Sequence, residues 1–150
     1  MIELLTWMPA LVLPGAALIQ LVKLWKTHDP GGVSVLSWLM FVATGIGPYS
    51  GQSVHFQHMA PEKIKYAINR YVYEAERHYN ILDNRLAQNK FMLGDTYTIV
   101  DMCVWGWARM LPKVIGEGEL EKRANLHRLM SEINDRPASQ RAVSYTHLTL

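Results

Sequence analysis

Few side chains in this sequence are spaced so that they could react or bind a metal together. His55 and His58 stand three residues apart, but no carboxylate or third ligand accompanies them, whereas a zinc site takes three or four protein ligands. Gly45 and Gly47 lack the third glycine of a nucleotide-binding loop. No Ser-His-Asp or paired-carboxylate arrangement stands out either, so we assign no catalytic residue and no metal.

Arg70 is the side chain best suited to binding. A guanidinium offers paired donors in one plane and therefore matches a carboxylate. Glu74 follows four residues later, so the alternative is an ordinary ion pair on a helix surface.

The element that carries Arg70 is predicted to be a long amphipathic helix. Pro61 and Glu62 are typical of a first helical turn. Apolar residues then recur at three- and four-residue steps as far as about Gln88. The polar face, which includes Arg70 and Glu74, is expected to be solvated. The apolar stripe consists of Ile64, Ile68, Tyr71, Ala75, Tyr79, Leu82 and Leu86.

A second helix, from Ile99 to Leu111, is predicted to be the folding core. Thr98 and Asp101 have the spacing of a capping box, in which the hydroxyl and the carboxylate each accept from the other residue's backbone amide. These two residues are therefore structural candidates rather than catalytic ones. The only charged residues from Ile99 to Leu111 are Asp101 and Arg109, so we expect this helix to have no solvent-exposed face.

Helices are also predicted on both sides of these two. Residues 33–56 are apolar with Ser and Gly interruptions, and Pro48 is expected to bend or break the helix near residues 45–51 because it lacks an amide donor. Asn125 is expected to cap a short helix from Leu126 to Ile133, which ends before Pro137. The pattern as a whole predicts an all-α protein.

Composition narrows the function further. The 150 residues carry a net charge of +2 and no run of lysine and arginine, so nucleic-acid binding is not expected. Cys103 is the only cysteine, which excludes an internal disulfide and fits a reducing compartment.

The first 32 residues do not match the rest. The stretch from Leu4 to Val22 is uncharged and long enough to cross a bilayer, although its two prolines argue against a lipid-facing helix. Residues 1–35 weakly resemble a PQ-loop membrane repeat, with Ile19 in place of that family's proline. The alternative is an apolar N-terminal helix folded against the domain that follows it.

Several longer sequence motifs resemble those of a known family. They lie at residues 36–41, 45–52, 55–58, 60–64, 67–71, 94–101 and 133–137. From Leu36 to Ala142 the chain is similar to the all-α C-terminal domain of glutathione transferases, most closely those of the bacterial nu class. The resemblance implies a helical bundle, glutathione as a substrate, a small-molecule thiol or disulfide as its partner, and a homodimer.

The same resemblance implies that part of such an enzyme is missing. In that family glutathione is bound chiefly by an N-terminal thioredoxin-like domain, and the residues before Leu36 lack its pattern. We therefore expect this chain to have no measurable transferase activity alone. We interpret residues 1–32 as an apolar segment with a membrane-type or a chimeric origin as the alternatives, 33–142 as the transferase-like domain, and 143–150 as a non-native tail that resembles translated adapter sequence.

The resemblance also suggests site residues. Arg70 stands where nu-class enzymes carry an arginine that contacts glutathione. Tyr49, Gln52, His55 and Phe56 are expected to line the second-substrate pocket, although Tyr49 and Phe56 suit a core equally well. Trp105 and Arg109 are expected to reach the pocket floor, with packing as the alternative for Trp105.

The sequence is consistent with two hypotheses about the function of the whole chain. The first is the substrate-binding helical domain of a cytoplasmic glutathione transferase or glutathione-dependent disulfide-bond oxidoreductase. The second is a small membrane protein, anchored through Leu4 to Val22 or derived from a PQ-loop transporter, with the helical domain as its binding module.

Overall fold

The computed structural model describes Val22 and residues 31–148. Apart from Val22, the predicted apolar segment from Leu4 to Val22 lies outside the described residues. The chain divides into two units, Met1–Ser37 and Trp38–Leu150, and the site residues discussed below all lie in the second. The domain limits expected at residues 32 and 142 stay predictions.

The described part of the chain is helical, as predicted. Its only bridge between extended residues joins Phe91 and Gly94. The α-helices are α1 Gly31–Phe41, α2 Gly47–Val54, α3 Lys65–Ala87, α4 Ile99–Ala108, α5 Leu111–Val114, α6 Ala124–Asn134 and α7 Pro137–Leu148, and two π-helical segments, π1 Val42–Ile46 and π2 His55–Met59, flank α2.

The first helix is not broken at residues 45–51, although a π-helical segment, Val42–Ile46, interrupts its α-helical turns. The backbone keeps right-handed helical angles at Phe41 and Gly47. In π1 the amide of Gly47 donates to the carbonyl of Val42, five residues back. This wider turn lies directly before Pro48, whose ring would otherwise meet the carbonyl four residues earlier. The helix therefore continues through the proline.

The long helix α3 is confirmed, but it begins later than predicted. Ile64 is its N-cap, with ψ of 94° and no side-chain cap. Pro61 and Glu62 lie in a bend before the helix, since Ala60 is extended with ψ of 136° as the residue before a proline prefers. The Lys63 ammonium reaches back to the Gln57 carbonyl at 2.5 Å, which ties this bend to π2.

The core lies where α3 meets its neighbours. This helix packs against α2 on one side and α6 on another. Four residues of the predicted stripe are fully or almost fully buried: Ala75, Tyr79, Leu82 and Leu86. Other buried side chains lie on α4, α5 and α6, among them Val100, Val104, Leu111, Leu126, Leu129 and Ile133.

The core helix α4 is only partly enclosed, so the prediction that it has no exposed face is wrong. Ile99 is 56% exposed and Met102 is 48% exposed. The helix packs against α6 and π1, and what remains is an apolar groove of about 600 Å³. The groove is lined by Leu39, Val42, Ala43, Cys103, Gly106, Trp107 and Met110. The apolar side chains of α4 were correctly identified from the sequence. The sequence did not show how many neighbouring helices cover them.

Helix α6 is capped from a distance, which corrects the expected role of Asn125. The residue lies inside the helix, and the N-cap Arg123 makes no side-chain cap bond. Instead the Asp83 carboxylate on α3 accepts from the amides of Asn125 and Leu126 at 3.0 and 2.9 Å. The cap therefore also fastens α6 to α3.

Candidate functional site

Three charged side chains on α3 form the most distinctive polar group of the described residues. Glu74 is only 8% exposed, which corrects its expected place on a solvated face. Arg70 donates to one of its carboxylate oxygens, and Arg77 donates through Nε to the other at 2.9 Å. The hydrogen bond from Arg70 is the largest cause, and that from Arg77 the second, of a pKa of the Glu74 carboxyl below its usual value of 4.5. The carboxylate is thus ionised and fixes two arginines at neutral pH.

The arginines themselves remain accessible. The side chain of Arg70 is 46% exposed and that of Arg77 is 49% exposed. The hydrogen bond to Glu74 is the main cause of a raised pKa at Arg70. Arg70 therefore makes the predicted ion pair with Glu74 and still exposes part of its side chain to solvent.

The buried His78 is bonded to the backbone of Glu74, the residue that holds Arg70 and Arg77. The His78 ring is bonded through Nδ1 to the backbone carbonyl of Glu74 at 2.6 Å, and because a carbonyl only accepts, Nδ1 carries the hydrogen. Its ring lies 5.1 Å from both the Phe41 and Tyr49 rings. A Cβ at Gly45 would lie 2.6 Å from the same ring. Sequence reasoning missed His78, although its position three residues after Ala75 follows the buried stripe.

The aromatic residues predicted around the pocket lie together. The Phe56 and Tyr71 rings stack at 5.3 Å with an angle of 8°, and Tyr49 lies 6.3 Å from Tyr71. His55 packs edge-on against Phe56 at 5.2 Å. Arg70 directly precedes Tyr71 in sequence, and Tyr49 contributes to the raised pKa of Arg70. These residues therefore form one surface, with Gln52 exposed on α2 nearby in sequence.

Trp105 and Arg109 form a separate pair on α4. The Trp105 indole donates to the Asn134 side chain of α6 at 2.8 Å, and the Arg109 guanidinium lies 4.9 Å above the Trp105 ring. Among the contacts of the described residues, none joins this pair to the aromatic surface around Tyr49. Their part in a pocket floor stays a prediction.

The capping box at the start of α4 is confirmed. The amide of Thr98 donates to Asp101 at 2.8 Å, and the Thr98 hydroxyl accepts from the amides of the first helical turn. A further bond was not predicted: the amide of Met92 donates to the other Asp101 oxygen at 2.8 Å. Asp101 is fully buried, so its two oxygens join the preceding loop to the helix.

The remaining candidates give no metal site. The His58 ring is bonded through Nε2 to the backbone carbonyl of Lys113 at 3.0 Å. In the described part of the chain, no group of three or more His, Cys, Asp or Glu side chains is placed to hold a metal ion. The same residues contain no helix with the length and apolar character needed to span a bilayer.

Comparison with known proteins decides the family. The model of the glutathione S-transferase C-terminal domain matches residues 39–137. The chain belongs to this family. The match gives no support to the PQ-loop resemblance of residues 1–35.

Individual relatives agree with this assignment. The chain is 42% identical over 112 residues to the disulfide-bond oxidoreductase YghU of Escherichia coli, covering 71% of this chain and 38% of that protein. It is 38% identical over 97 residues to YfcG of the same organism, another disulfide-bond oxidoreductase, covering 62% and 45%. This chain therefore spans less than half the length of either relative.

Comparison with solved structures agrees with the family assignment. A glutathione transferase from Burkholderia graminis, crystallised with two glutathione molecules per subunit, matches with a TM-score of 0.63 and 31% identity. The match covers 70% of this chain and 46% of that one. The described domain thus has the all-helical fold of the glutathione transferase C-terminal domain.

Proposed function

We propose that this chain supplies the substrate-binding helical domain of a glutathione-dependent disulfide-bond oxidoreductase. In this proposal Arg70 binds a carboxylate of glutathione or of its disulfide. The observation that carries the proposal is that the Arg70 guanidinium is bonded to a buried carboxylate while its side chain remains 46% exposed. Relatives named as disulfide-bond oxidoreductases support the same chemistry.

The role of Arg70 is recognition. Its guanidinium has five N–H donors, and one terminal nitrogen is committed to Glu74. The remaining donors can bind a carboxylate in two parallel hydrogen bonds. Because Glu74 already orders the side chain, less rotamer freedom is lost when the ligand binds.

The aromatic surface gives a place for the rest of the ligand. Tyr49 and Phe56 offer ring faces next to Tyr71, while Gln52 and His55 are exposed polar groups. A combination of apolar ring faces and a few polar groups suits a small disulfide or electrophile. We assign the second substrate to this surface.

The reaction itself requires more than the described residues. No catalytic residue is assigned to them, so thiol activation is assigned to a thioredoxin-like module acting with this domain. We expect cytoplasmic activity as a homodimer. With glutathione and a model disulfide, the chain by itself should show no turnover, and ordinary rates would overturn this division of labour.

Binding tests the proposal directly. The chain is titrated with glutathione disulfide by ligand-observed NMR, and Arg70→Gln is compared with Arg136→Gln. Arg136 is a matched control because it is an exposed arginine that packs over Tyr97. Loss of one half-exposed charged contact should weaken binding about fivefold in Arg70→Gln and leave the control unchanged. Equal affinity in all three proteins, or no binding by the wild type, would contradict the proposal.

A further inference from the structure

Arg77 has the same relation to Glu74 as Arg70 but is absent from the site proposed above. We propose that Arg77, with Glu76 and Asn80, binds the α-amino acid head group of a γ-glutamyl ligand. This inference rests on the proposed function, since it adds a second contact for the same ligand. It concerns residues that neither the family resemblance nor the sequence motifs single out.

Arg77 is prepared to bind an anion. It uses only Nε for its bond to Glu74, and among the described residues no acceptor is recorded for its two terminal nitrogens. Two arginines share one carboxylate in this group, so its net charge is +1. Because Glu74 fixes the guanidinium through Nε, the terminal nitrogens form the edge that can still take a carboxylate in paired hydrogen bonds.

A cleft lies next to this edge. It has a volume of about 270 Å³ and is lined by Tyr73, Glu76, Arg77 and Asn80. The buried Arg123 donates through Nε to the Asn80 carbonyl oxygen at 2.8 Å, and because arginine only donates, this bond fixes the orientation of the amide. The amide nitrogen of Asn80 is thereby left as a second donor in the cleft.

Glu76 decides which carboxylate fits. Its side chain is 47% exposed and lies 3.6 Å from Arg123, a distance too long for a strong hydrogen bond. A simple anion would be repelled by this carboxylate. An α-amino acid carries an ammonium beside its carboxylate, so it can pair with Glu76 and Arg77 at once.

The spacing of the two arginines suits one extended ligand. Arg70 and Arg77 are seven residues apart on α3, which is about 10 Å along the helix axis. Glutathione disulfide has a γ-glutamyl head at each end and is long enough to reach both. One end would lie at Arg77 while another carboxylate of the molecule lies at Arg70.

The test uses two probes that differ only in the other carboxylates. These are glutathione disulfide and its bis(glycine ethyl ester), which keeps both γ-glutamyl heads. Arg77→Gln and Glu76→Gln should each weaken binding of both probes about fivefold, and Arg136→Gln should weaken neither. Circular dichroism and melting temperature confirm that each variant is folded, and Arg77→Lys is a second variant should Arg77→Gln unfold.

The outcomes separate this inference from the function it rests on. If Arg70→Gln weakens binding while Arg77→Gln binds both probes like the wild type, the inference is overturned and the proposed function stands. If Arg77→Gln affects the free disulfide but not the ester, Arg77 binds a glycine carboxylate and the head-group assignment is overturned. If the wild type binds neither probe, both proposals fall.

Discussion

Two buried carboxylates organise this domain in different ways. Asp101 on α4 is fully buried and accepts from the backbone amides of Thr98 and Met92. Glu74 on α3 is 8% exposed and accepts from the side chains of Arg70 and Arg77. The first carboxylate fixes the path of the chain, while the second fixes side chains that face solvent.

In the function proposed above, the partners of each carboxylate distinguish a folding residue from a residue that supports binding. A backbone amide at the start of a helix has no acceptor within the helix. Leaving it without a hydrogen bond in the interior destabilises the fold. A half-exposed arginine does not need a buried carboxylate for stability, because water would solvate it. In the two proposals above, Glu74 holds both arginines in position for a ligand.

The largest effect should come from Asp101→Ala. The substitution removes the acceptor of the Thr98 amide, worth about 1 kcal/mol, and leaves the Met92 amide without its acceptor, worth about 1–3 kcal/mol more. We expect the free energy of unfolding to fall by about 2–4 kcal/mol, as measured by urea denaturation. A loss as small as that of a surface substitution would show that Asp101 does not hold the fold.

Gly45→Ala should have the next largest effect, since it acts beneath Glu74. The new Cβ would lie 2.6 Å from the His78 ring, which is buried and bonded to the Glu74 carbonyl. We expect a loss of about 1–3 kcal/mol as the ring is displaced. Thermal and urea unfolding provide the measurement.

Gly51→Ala is the matched control for that substitution. It adds a Cβ to the same region of helix, with no atom of another residue within 4 Å. It should stabilise the protein by roughly 0.5–1 kcal/mol, because alanine is the better helix former. Equal losses in both variants would refute the contact with His78.

Glu74→Gln should have the smallest effect on stability at neutral pH and a visible one in acid. The pKa of Glu74 is lowered in the folded state, so its contribution is present above the ordinary value of 4.5 and is lost as the pH falls through the folded pKa. The wild-type melting temperature should drop more steeply than that of Glu74→Gln below about pH 4.5. Parallel melting curves in the two proteins would mean that the arginines do not hold this carboxylate.

Much of this domain could be predicted from local patterns. The capping box was predictable because Thr98 and Asp101 lie within one helical turn, where sequence spacing fixes geometry. The buried stripe of α3 was predictable for the same reason from Ala75 to Leu86, whereas Ile64 at its predicted start is 47% exposed. Arg70 was found through the family resemblance together with the carboxylate-binding geometry of arginine.

The parts that could not be predicted depend on residues distant in the chain. The cap of α6 comes from Asp83, which lies 42 residues before Asn125, so no local signal at Asn125 indicates it. The burial of Glu74 and the exposed face of α4 depend on which helices lie against them. Sequence spacing along one helix does not contain that information.

Mapping of the ligand by amide and side-chain chemical shifts tests the central claim most directly. Isotopically labelled chain is titrated with glutathione disulfide, and the shifts of α3 are compared with those of α4. The account predicts that the largest changes lie at Arg70, Glu74 and the rings of Tyr49 and Tyr71, with little change around Asp101. Changes concentrated in the groove at Cys103 and Met110, with Arg70 unaffected, would contradict it.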